Sequence, residues 1–129
     1  MMPEDKIMDH KKRSLDPDHP VIRGTSQNPD VFFQAREAAN TFYANVPGIV
    51  QTTMDEFYTH TGRRYNLFDY IGHPEAERII IIMGSGEGAV KETVNELVER
   101  GEKVGALLVR LYRPFSIENF IHAIPETVK

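Results

Sequence analysis

The spacing of apolar residues predicts that the first half of the chain is helical. From residue 31 onward, apolar side chains recur every three or four positions, as they do on one face of a helix. Asn28 is a suitable N-cap, and Pro29 suits the first helical position because a donor there would be unpaired anyway. The residues of this face are Val31, Phe32, Ala35, Ala38, Ala39, Phe42, Tyr43 and Val46. Pro47 should then break or kink the helix.

A second helical face follows Pro47 and should end at Gly62, a good C-terminal stop. Its residues are Ile49, Val50, Thr53, Met54, Phe57 and Tyr58. Upstream, residues 1–14 are charged and weakly patterned, which predicts a frayed short helix or a tail. Residues 15–30 contain Pro17, Pro20, Gly24 and Pro29, so we expect an extended, turn-rich connection.

The second half of the chain predicts a βαβ unit. Residues 78–83 form a continuous and mostly β-branched run, typical of a strand buried on both faces. A glycine-rich turn follows, then helical spacing as far as Gly101, then a second apolar strand over 104–109. Such a crossover should be right-handed. Ser116 should cap a last helix that stops at Pro125, whereas segment 65–71 is either a strand or a segment laid across another surface.

The predicted fold class is α/β, with a helical segment followed by an incomplete parallel βαβα unit. A doubly wound domain needs at least three or four parallel strands with helices on both faces, and only two such strands are predicted here. The chain therefore looks cut off in mid-domain. We expect strands 79–83 and 104–109 to lack cover on their faces, and the chain to self-associate through them.

Composition narrows the classes of function that remain. The 129 residues (14.7 kDa) include 15 Lys and Arg against 19 Asp and Glu, a net charge of −4. This mild acidity argues against a nucleic-acid-binding surface, which needs clustered cations. The absence of cysteine excludes disulfides, thiolate zinc sites and Cys-ligated iron–sulfur clusters on this chain. No apolar run is long enough to span a membrane and no signal peptide is recognisable, so we expect a cytoplasmic protein.

The turn from Gly84 to Ala89 is the best candidate for chemistry. It satisfies the pattern G-x-G-x-x-A between a strand and a helix, where backbone N–H groups can approach a pyrophosphate. Arg110 and Arg113 follow the second strand and could contact a bound phosphate. Glu87, however, places a negative charge in the turn itself. The alternatives are a small nucleotide- or anion-binding module and a tight turn of purely structural importance.

The other candidate residues give no convincing site. The five histidines, which lack the spacing of metal ligands, are His10, His19, His60, His73 and His122. Ser85 fails the pattern of a nucleophile elbow, and Arg63 with Arg64 should only favour a helix dipole. Aromatic rings at helical spacing predict core or interdomain packing. We therefore predict no catalytic, cofactor-binding or metal-binding residue on this chain.

Three strings of sequence resemble one enzyme family. They are residues 15–38, beginning Leu-Asp-Pro-Asp-His-Pro; residues 65–85, which run from Tyr-Asn-Leu-Phe-Asp-Tyr-Ile-Gly through the first strand; and residues 109–115, Val-Arg-Leu-Tyr-Arg-Pro-Phe. Together they are similar to pyruvate:ferredoxin (flavodoxin) oxidoreductase. The resemblance covers nearly the whole chain from about Ser14.

The resemblance implies that the chain is a structural segment of a much longer enzyme. Residues 1–74 are similar to the end of a pyrimidine-binding-type domain of thiamine enzymes, and residues 75–129 to the start of a transketolase C-terminal-like domain. The parent would oxidise pyruvate to acetyl-CoA with thiamine diphosphate, Mg²⁺, [4Fe–4S] clusters and CoA, and would pass electrons to ferredoxin or flavodoxin. We expect this segment to bind none of these cofactors, to be inactive alone, and to have the remaining domains of the parent as its partners.

Overall fold

The computed structural model describes residues 3–20, 24 and 26–129. Parts of the expected tail and connection, at residues 1–2, 21–23 and 25, lie outside the described residues. The chain divides into two compact units, Met1–Ala35 and Arg36–Lys129. In chain order the elements are α1 (Glu4–Lys12), α2 (Pro29–Ala38), α3 (Asn40–Tyr43), α4 (Val46–Thr61), β1 (Phe68–Gly72), β2 (Arg78–Ile82), α5 (Glu87–Glu99), β3 (Val104–Val109) and α6 (Ile117–His122).

The N-terminal segment forms a short helix followed by a tight turn. Helix α1 has carboxylates in its first turn and basic residues in its last, an arrangement that complements the helix dipole. Asp16 then organises the turn, because its Oδ1 accepts a hydrogen bond from the backbone N of Asp18 at 2.9 Å. Its backbone carbonyl accepts another from the N of His19 at 3.1 Å. Side chains of this kind commonly fix such turns.

The helical region between Pro29 and Gly62 is divided into three helices. The face predicted over 31–46 is divided between α2 and α3, and α4 begins at Val46. Pro47 therefore lies in the first turn of α4, where its missing N–H leaves no hydrogen bond unmade. Gly62 ends α4 in the left-handed conformation (φ 70°), and its N–H donates to the carbonyl of Tyr58 at 2.8 Å. The predicted stop at Gly62 is confirmed.

The second half contains a three-stranded mixed sheet with the order β1-β3-β2. The predicted βαβ unit is confirmed, because β2 and β3 are parallel and α5 connects them. Segment 65–71, left open by the sequence, contributes the first four residues of β1, which pairs antiparallel with β3 from Phe68 opposite Val109 to Gly72 opposite Gly105. The last strand in the chain therefore lies at the centre of the sheet.

The core lies around the central strand. Leu67, Phe68 and Leu107 form its buried cluster, and partly buried residues of α4 and of the α6 region pack against it. Alternate residues of a strand point to opposite faces, so Ala106 and Leu108 lie on the face opposite Leu107. Both faces of β3 are thus covered, and the expectation that this strand lacks cover is wrong.

Strand β2 differs from its neighbour β3. It lies at the edge of the sheet, and two of its isoleucines are about half exposed. The run of isoleucines is typical of a strand buried on both faces, and the expectation that this chain leaves it without cover is confirmed for β2, because no further strand or second helical layer covers it among the described residues. The aromatic rings at helical spacing, expected to pack in a core or between domains, do not pack in a core of the described residues, because they are exposed; they are Phe32, Phe33, Phe42, Tyr43, Phe57 and Tyr58.

Aromatic rings that pack on Phe68 of the core anchor the segment after β3. The rings of Phe115 and Phe120 lie 5.3 and 5.4 Å from the ring of Phe68, in edge-to-face arrangements. Such contacts add to the free energy of apolar burial. Ser116 occupies the N-cap position of α6 as predicted, and its Oγ accepts a hydrogen bond from Nδ2 of Asn119 at 2.7 Å. Over the described ranges, no helix is long and apolar enough to cross a membrane.

Candidate functional site

The glycine turn joins the end of β2 to the start of α5. Gly84 has a φ of +91°, which favours glycine, and its carbonyl accepts a hydrogen bond from the N–H of Glu87 at 3.2 Å. At Gly86 a Cβ atom would lie 2.8 Å from Cδ1 of Ile82. Both glycines therefore have structural reasons that involve no ligand: one needs an unusual φ, and the other packs closely against β2.

Arg110 lies beside this turn and is bound by two carboxylates. Its Nε donates to Oδ2 of Asp69 at 2.5 Å. Its Nη2 and Nη1 donate to the two carboxylate oxygens of Glu87, at 2.7 and 3.2 Å. Arg110 follows β3, Asp69 belongs to β1 and Glu87 is the first residue of α5, so the three charges connect three elements. We refer to Asp69, Glu87 and Arg110, with the ring of Tyr65, as the Arg110 cluster.

The Arg110 cluster is partly withdrawn from solvent. The side chains of Arg110, Asp69 and Glu87 are 22%, 18% and 37% exposed. The guanidinium carbon lies 4.6 Å from the centroid of the Tyr65 ring, within the range of a cation–π contact. Burial lowers the pKa of Arg110, but the hydrogen bonds to Glu87 and Asp69 outweigh burial and leave its pKa raised. The guanidinium is therefore permanently charged, and it is held in place from three sides.

A second layer of hydrogen bonds holds the carboxylate of Asp69 and ties α4 to it. Oδ1 of Asp69 accepts from the backbone N and from Nδ2 of Asn66, at 3.1 and 2.9 Å. Gln51 of α4 accepts from the N–H of Leu67 at 3.2 Å and donates to Oδ1 of Asn66 at 3.4 Å. The other carboxylate oxygen of Asp69, Oδ2, is thus left to accept the hydrogen bond from Arg110. Second-layer bonds of this kind fix side-chain orientation.

The geometry is unfavourable for an anion at the glycine turn. A depression of about 380 Å³ lies there, and its lining consists of Ile82, Met83, Gly84, Glu87, Leu108, Val109 and Arg110. Arg110, the cation that lines this depression, is already neutralised by the carboxylates of Asp69 and Glu87. The carboxylate of Glu87 would also repel an incoming phosphate. Arg113 does not join the site, because it borders a separate recess with Tyr112, Pro114 and Phe115.

Sequence reasoning identified two members of the Arg110 cluster and missed the others. Arg110 and Glu87 were considered as a phosphate ligand and as a charge opposing phosphate, and the structure pairs them with each other. Asp69 and Tyr65 were not singled out. Asp69 is 41 residues from Arg110 in the chain, and no local spacing signals such a pair. The signal that could have found it is one acidic residue in a strand otherwise rich in apolar and aromatic residues.

The histidines are dispersed over the described residues. Nδ1 of His19 lies 3.2 Å from Oδ2 of Asp16, and Nδ1 of His73 accepts the N–H of Glu75 at 3.0 Å. His10, His60 and His122 lie in the last turns of helices, where a positive charge is favourable. Within the described ranges no three His, Cys, Asp or Glu side chains form a group that could hold a metal ion. With no cysteine in the sequence, the chain does not fit an iron–sulfur cluster.

The adjacent arginines after α4 stack on its aromatic side chains. The guanidinium carbon of Arg63 lies 5.3 Å from the ring centroid of Phe57, and that of Arg64 lies 5.7 Å from the centroid of Tyr58. These positions satisfy the cation–π distance and lie at the C-terminal end of α4, where cations are favoured. The two arginines therefore lie where cations favour the helix dipole, as the sequence predicts.

Comparison with known proteins assigns the chain to a family. Residues 76–128 match the family model for pyruvate:ferredoxin oxidoreductase core domain II. The whole chain is 57% identical to a pyruvate-flavodoxin oxidoreductase of Rhodospirillum rubrum and 54% identical to a probable pyruvate-flavodoxin oxidoreductase of Escherichia coli. Over 97% of its length it is 54% identical to a pyruvate:ferredoxin oxidoreductase of Moorella thermoacetica. This chain is a segment of an enzyme of the pyruvate:ferredoxin oxidoreductase family.

The segment is short compared with those oxidoreductases. It spans 11% of the length of each of the three relatives. The family match and the identities along the chain confirm the resemblance seen in the sequence. The mixed α/β arrangement is consistent with the transketolase C-terminal-like fold that the resemblance implies. The structure places β1 in the same sheet as β2 and β3, although β1 precedes residue 76, where the family match begins.

Proposed function

We propose that this chain is a scaffold segment of an oxidoreductase that converts pyruvate and CoA to acetyl-CoA and CO₂ and passes the electrons to ferredoxin or flavodoxin. The observation that carries the proposal is the identity of 54–57% along the chain with three such enzymes. The proposal includes the domain assignment made from the sequence, with residues 1–74 ending a pyrimidine-binding-type domain and residues 75–129 starting a transketolase C-terminal-like domain. It also places the parent enzyme in the cytoplasm.

The charges of the segment support a scaffold role. The Arg110 cluster, the most buried of the ion pairs found among the described residues, is satisfied internally, so none of its charges is left to orient a substrate. Thiamine diphosphate, Mg²⁺ and the [4Fe–4S] clusters would be held by other parts of the parent, where they would supply decarboxylation and electron-transfer chemistry. The exposed rings of α2–α4 and the exposed isoleucines of β2 provide apolar surface for those remaining domains.

A segment exchange tests this function. The corresponding stretch of the Rhodospirillum rubrum enzyme is replaced by this chain, and pyruvate-dependent reduction of a viologen dye is measured with thiamine diphosphate, Mg²⁺ and CoA. We expect kcat and KM for pyruvate within about twofold of the parent values, because a scaffold touches no reacting atom. The isolated 129-residue chain, assayed alongside, should give no turnover.

Two results would overturn the proposal. One is dye reduction by the pure isolated chain, which would show that it contains a complete active site. The other is a hybrid that assembles with the full iron and thiamine content of the parent and yet is inactive. In that case the segment would supply groups that act on the substrate.

A further inference from the structure

The chain passes from β1 to β2 over the beginning of β3. Because the strand order is β1-β3-β2, residues 73–77 must cross the end of the central strand. Two backbone hydrogen bonds hold this crossover there. The N–H of His73 donates to the carbonyl of Val104 at 3.0 Å, and the N–H of Glu77 donates to the carbonyl of Lys103 at 2.9 Å. The crossover contains the boundary proposed above between the two domains.

His73 organises the crossover through both its backbone and its ring. Its carbonyl accepts hydrogen bonds from the hydroxyl of Tyr70 at 2.6 Å and from the N–H of Ala76 at 3.0 Å. Its Nδ1 accepts the N–H of Glu75 at 3.0 Å. Pro74 has no N–H, so the amide of Glu75 is the first one after His73 that can be bound. The imidazole thus does what asparagine and aspartate side chains commonly do in turns.

The bond from Glu75 to the ring exists only while the imidazole is neutral. A neutral imidazole has one nitrogen that accepts a hydrogen bond, so the proton of His73 must be on Nε2. A protonated imidazole donates from both nitrogens and accepts at neither. Histidine is the side chain that ordinarily changes charge between about pH 5 and pH 8. Acidification over this range therefore removes the acceptor.

The charged groups around the ring give a protonated imidazole another partner. The hydrogen bond from Lys103 is the main cause that lowers the pKa of Glu75, and the nearby charge of His73 lowers this pKa further. The carboxylate of Glu77 interacts with the same lysine. Burial raises the pKa of Tyr70, so its hydroxyl stays neutral. A charged imidazole is therefore attracted to the carboxylate of Glu75 when it loses the N–H of that residue.

We propose that His73 is a pH-sensitive switch in the crossover. The neutral ring holds the N–H of Glu75, and protonation releases this N–H and draws the ring toward the carboxylate of the same residue. Strands β1 and β2 stay in the sheet, because their ladder bonds to β3 do not involve the ring. The change is confined to residues 73–76. Its effect on the joint between two domains rests on the boundary proposed above, whereas the switch itself does not.

Exchange of the Glu75 amide with water, followed by NMR in the 129-residue chain, tests the switch. Protection is expressed relative to an unstructured chain at the same pH. We expect it to fall by about three- to tenfold from about pH 7.5 to about pH 5, the range that corresponds to loss of one hydrogen bond. The amide of Asp18 is the internal reference, because a carboxylate oxygen of Asp16 holds it at 2.9 Å. Its protection should not change.

Two variants of His73 serve as controls. In His73→Asn the side-chain oxygen can accept the same N–H at every pH, so the amide of Glu75 should stay protected throughout. In His73→Ala no acceptor is present, so this amide should be unprotected at both ends of the range. Nitrogen NMR of the unaltered chain at about pH 7.5 should show the Nε2–H tautomer of His73.

Three results would overturn the proposal. They are an Nδ1–H tautomer of neutral His73, a protection of the Glu75 amide that does not change with pH, and a change that persists in His73→Asn. If neither variant folds, the tautomer and the pH profile of the unaltered chain still decide the matter. The outcome is independent of the segment exchange, because the exchange measures turnover and this experiment measures one hydrogen bond.

Discussion

Removal of Arg110 is the sharpest test of how this segment holds together. In the variant Arg110→Met, the carboxylates of Asp69 and Glu87 would keep their positions and lose their shared cation. Two like charges would then face each other in a partly buried place. The methionine retains much of the apolar stem of arginine, so the substitution removes mainly the charge and its hydrogen bonds.

The expected loss in the free energy of unfolding lies between the values for a fully buried and an exposed ion pair. Removing one partner of a fully buried pair costs about 3–5 kcal/mol, whereas exposed pairs contribute about 0–1 kcal/mol. The three side chains of the cluster are 22%, 18% and 37% exposed, which discounts the buried value. We therefore expect Arg110→Met to lower the free energy of unfolding by about 2–3 kcal/mol.

A matched ion pair on α5 serves as the control. Nη2 of Arg100 lies 2.7 Å from Oε1 of Glu96, the same distance that separates Arg110 from Glu87, but these side chains are 69% and 57% exposed. Arg100→Met should cost at most about 0.5 kcal/mol. Urea unfolding followed by far-UV circular dichroism gives both values. Equal losses for the two variants would refute the argument from burial.

Three further predictions concern single positions. Gly72→Ala should destabilise the sheet by about 3 kcal/mol or more, because the new Cβ would lie 2.5 Å from the Cα of Gly105 and the residue has a φ of +134°. Gly88→Ala, in open space on α5, should instead stabilise the protein by about 0.5–1 kcal/mol. Urea midpoints of the two variants that move in the same direction would contradict this. Leu107→Ala, at a fully buried site, should cost about 2–5 kcal/mol in the same assay, and a loss below about 1 kcal/mol would place the core elsewhere. The hydrogen bond from Lys103 lowers the pKa of Glu75, so this contact should stabilise the fold above the ordinary pKa of Glu75 and weaken as the pH falls through the lowered value. Carboxyl NMR titration should show a higher pKa of Glu75 in the variant Lys103→Met, and an unchanged pKa would contradict the pairing.

Local periodicity predicted most elements because the forces that set them are local. The helix start at Pro29, the stop at Gly62 and the strand over 104–109 all appear where the residue pattern predicts them. The same pattern could not distinguish a central strand from an edge strand. Runs of isoleucine and of leucine look equally buried in a sequence, and only the pairing order shows that β3 is covered and β2 is not.

The candidate site was harder to predict than the fold, because its contacts join distant parts of the chain. Asp69 and Arg110 are 41 residues apart, and Glu87 lies between them on a different element. Each charge taken alone had an ordinary local explanation. Their mutual pairing follows only from the antiparallel register that places β1 beside β3. Long-range ion pairs depend on the topology of the fold, so no short stretch of sequence indicates them.

The position of β3 at the centre of the sheet has a consequence for synthesis on the ribosome. β1 and β2 are made before β3, and among the described strands each of them pairs only with β3, so this sheet cannot form until Val109 has been added. At translation rates of roughly 5–20 residues per second, the isoleucine strand emerges roughly one to five seconds before its partner is complete. During that interval the nascent chain exposes an unpaired β-branched segment.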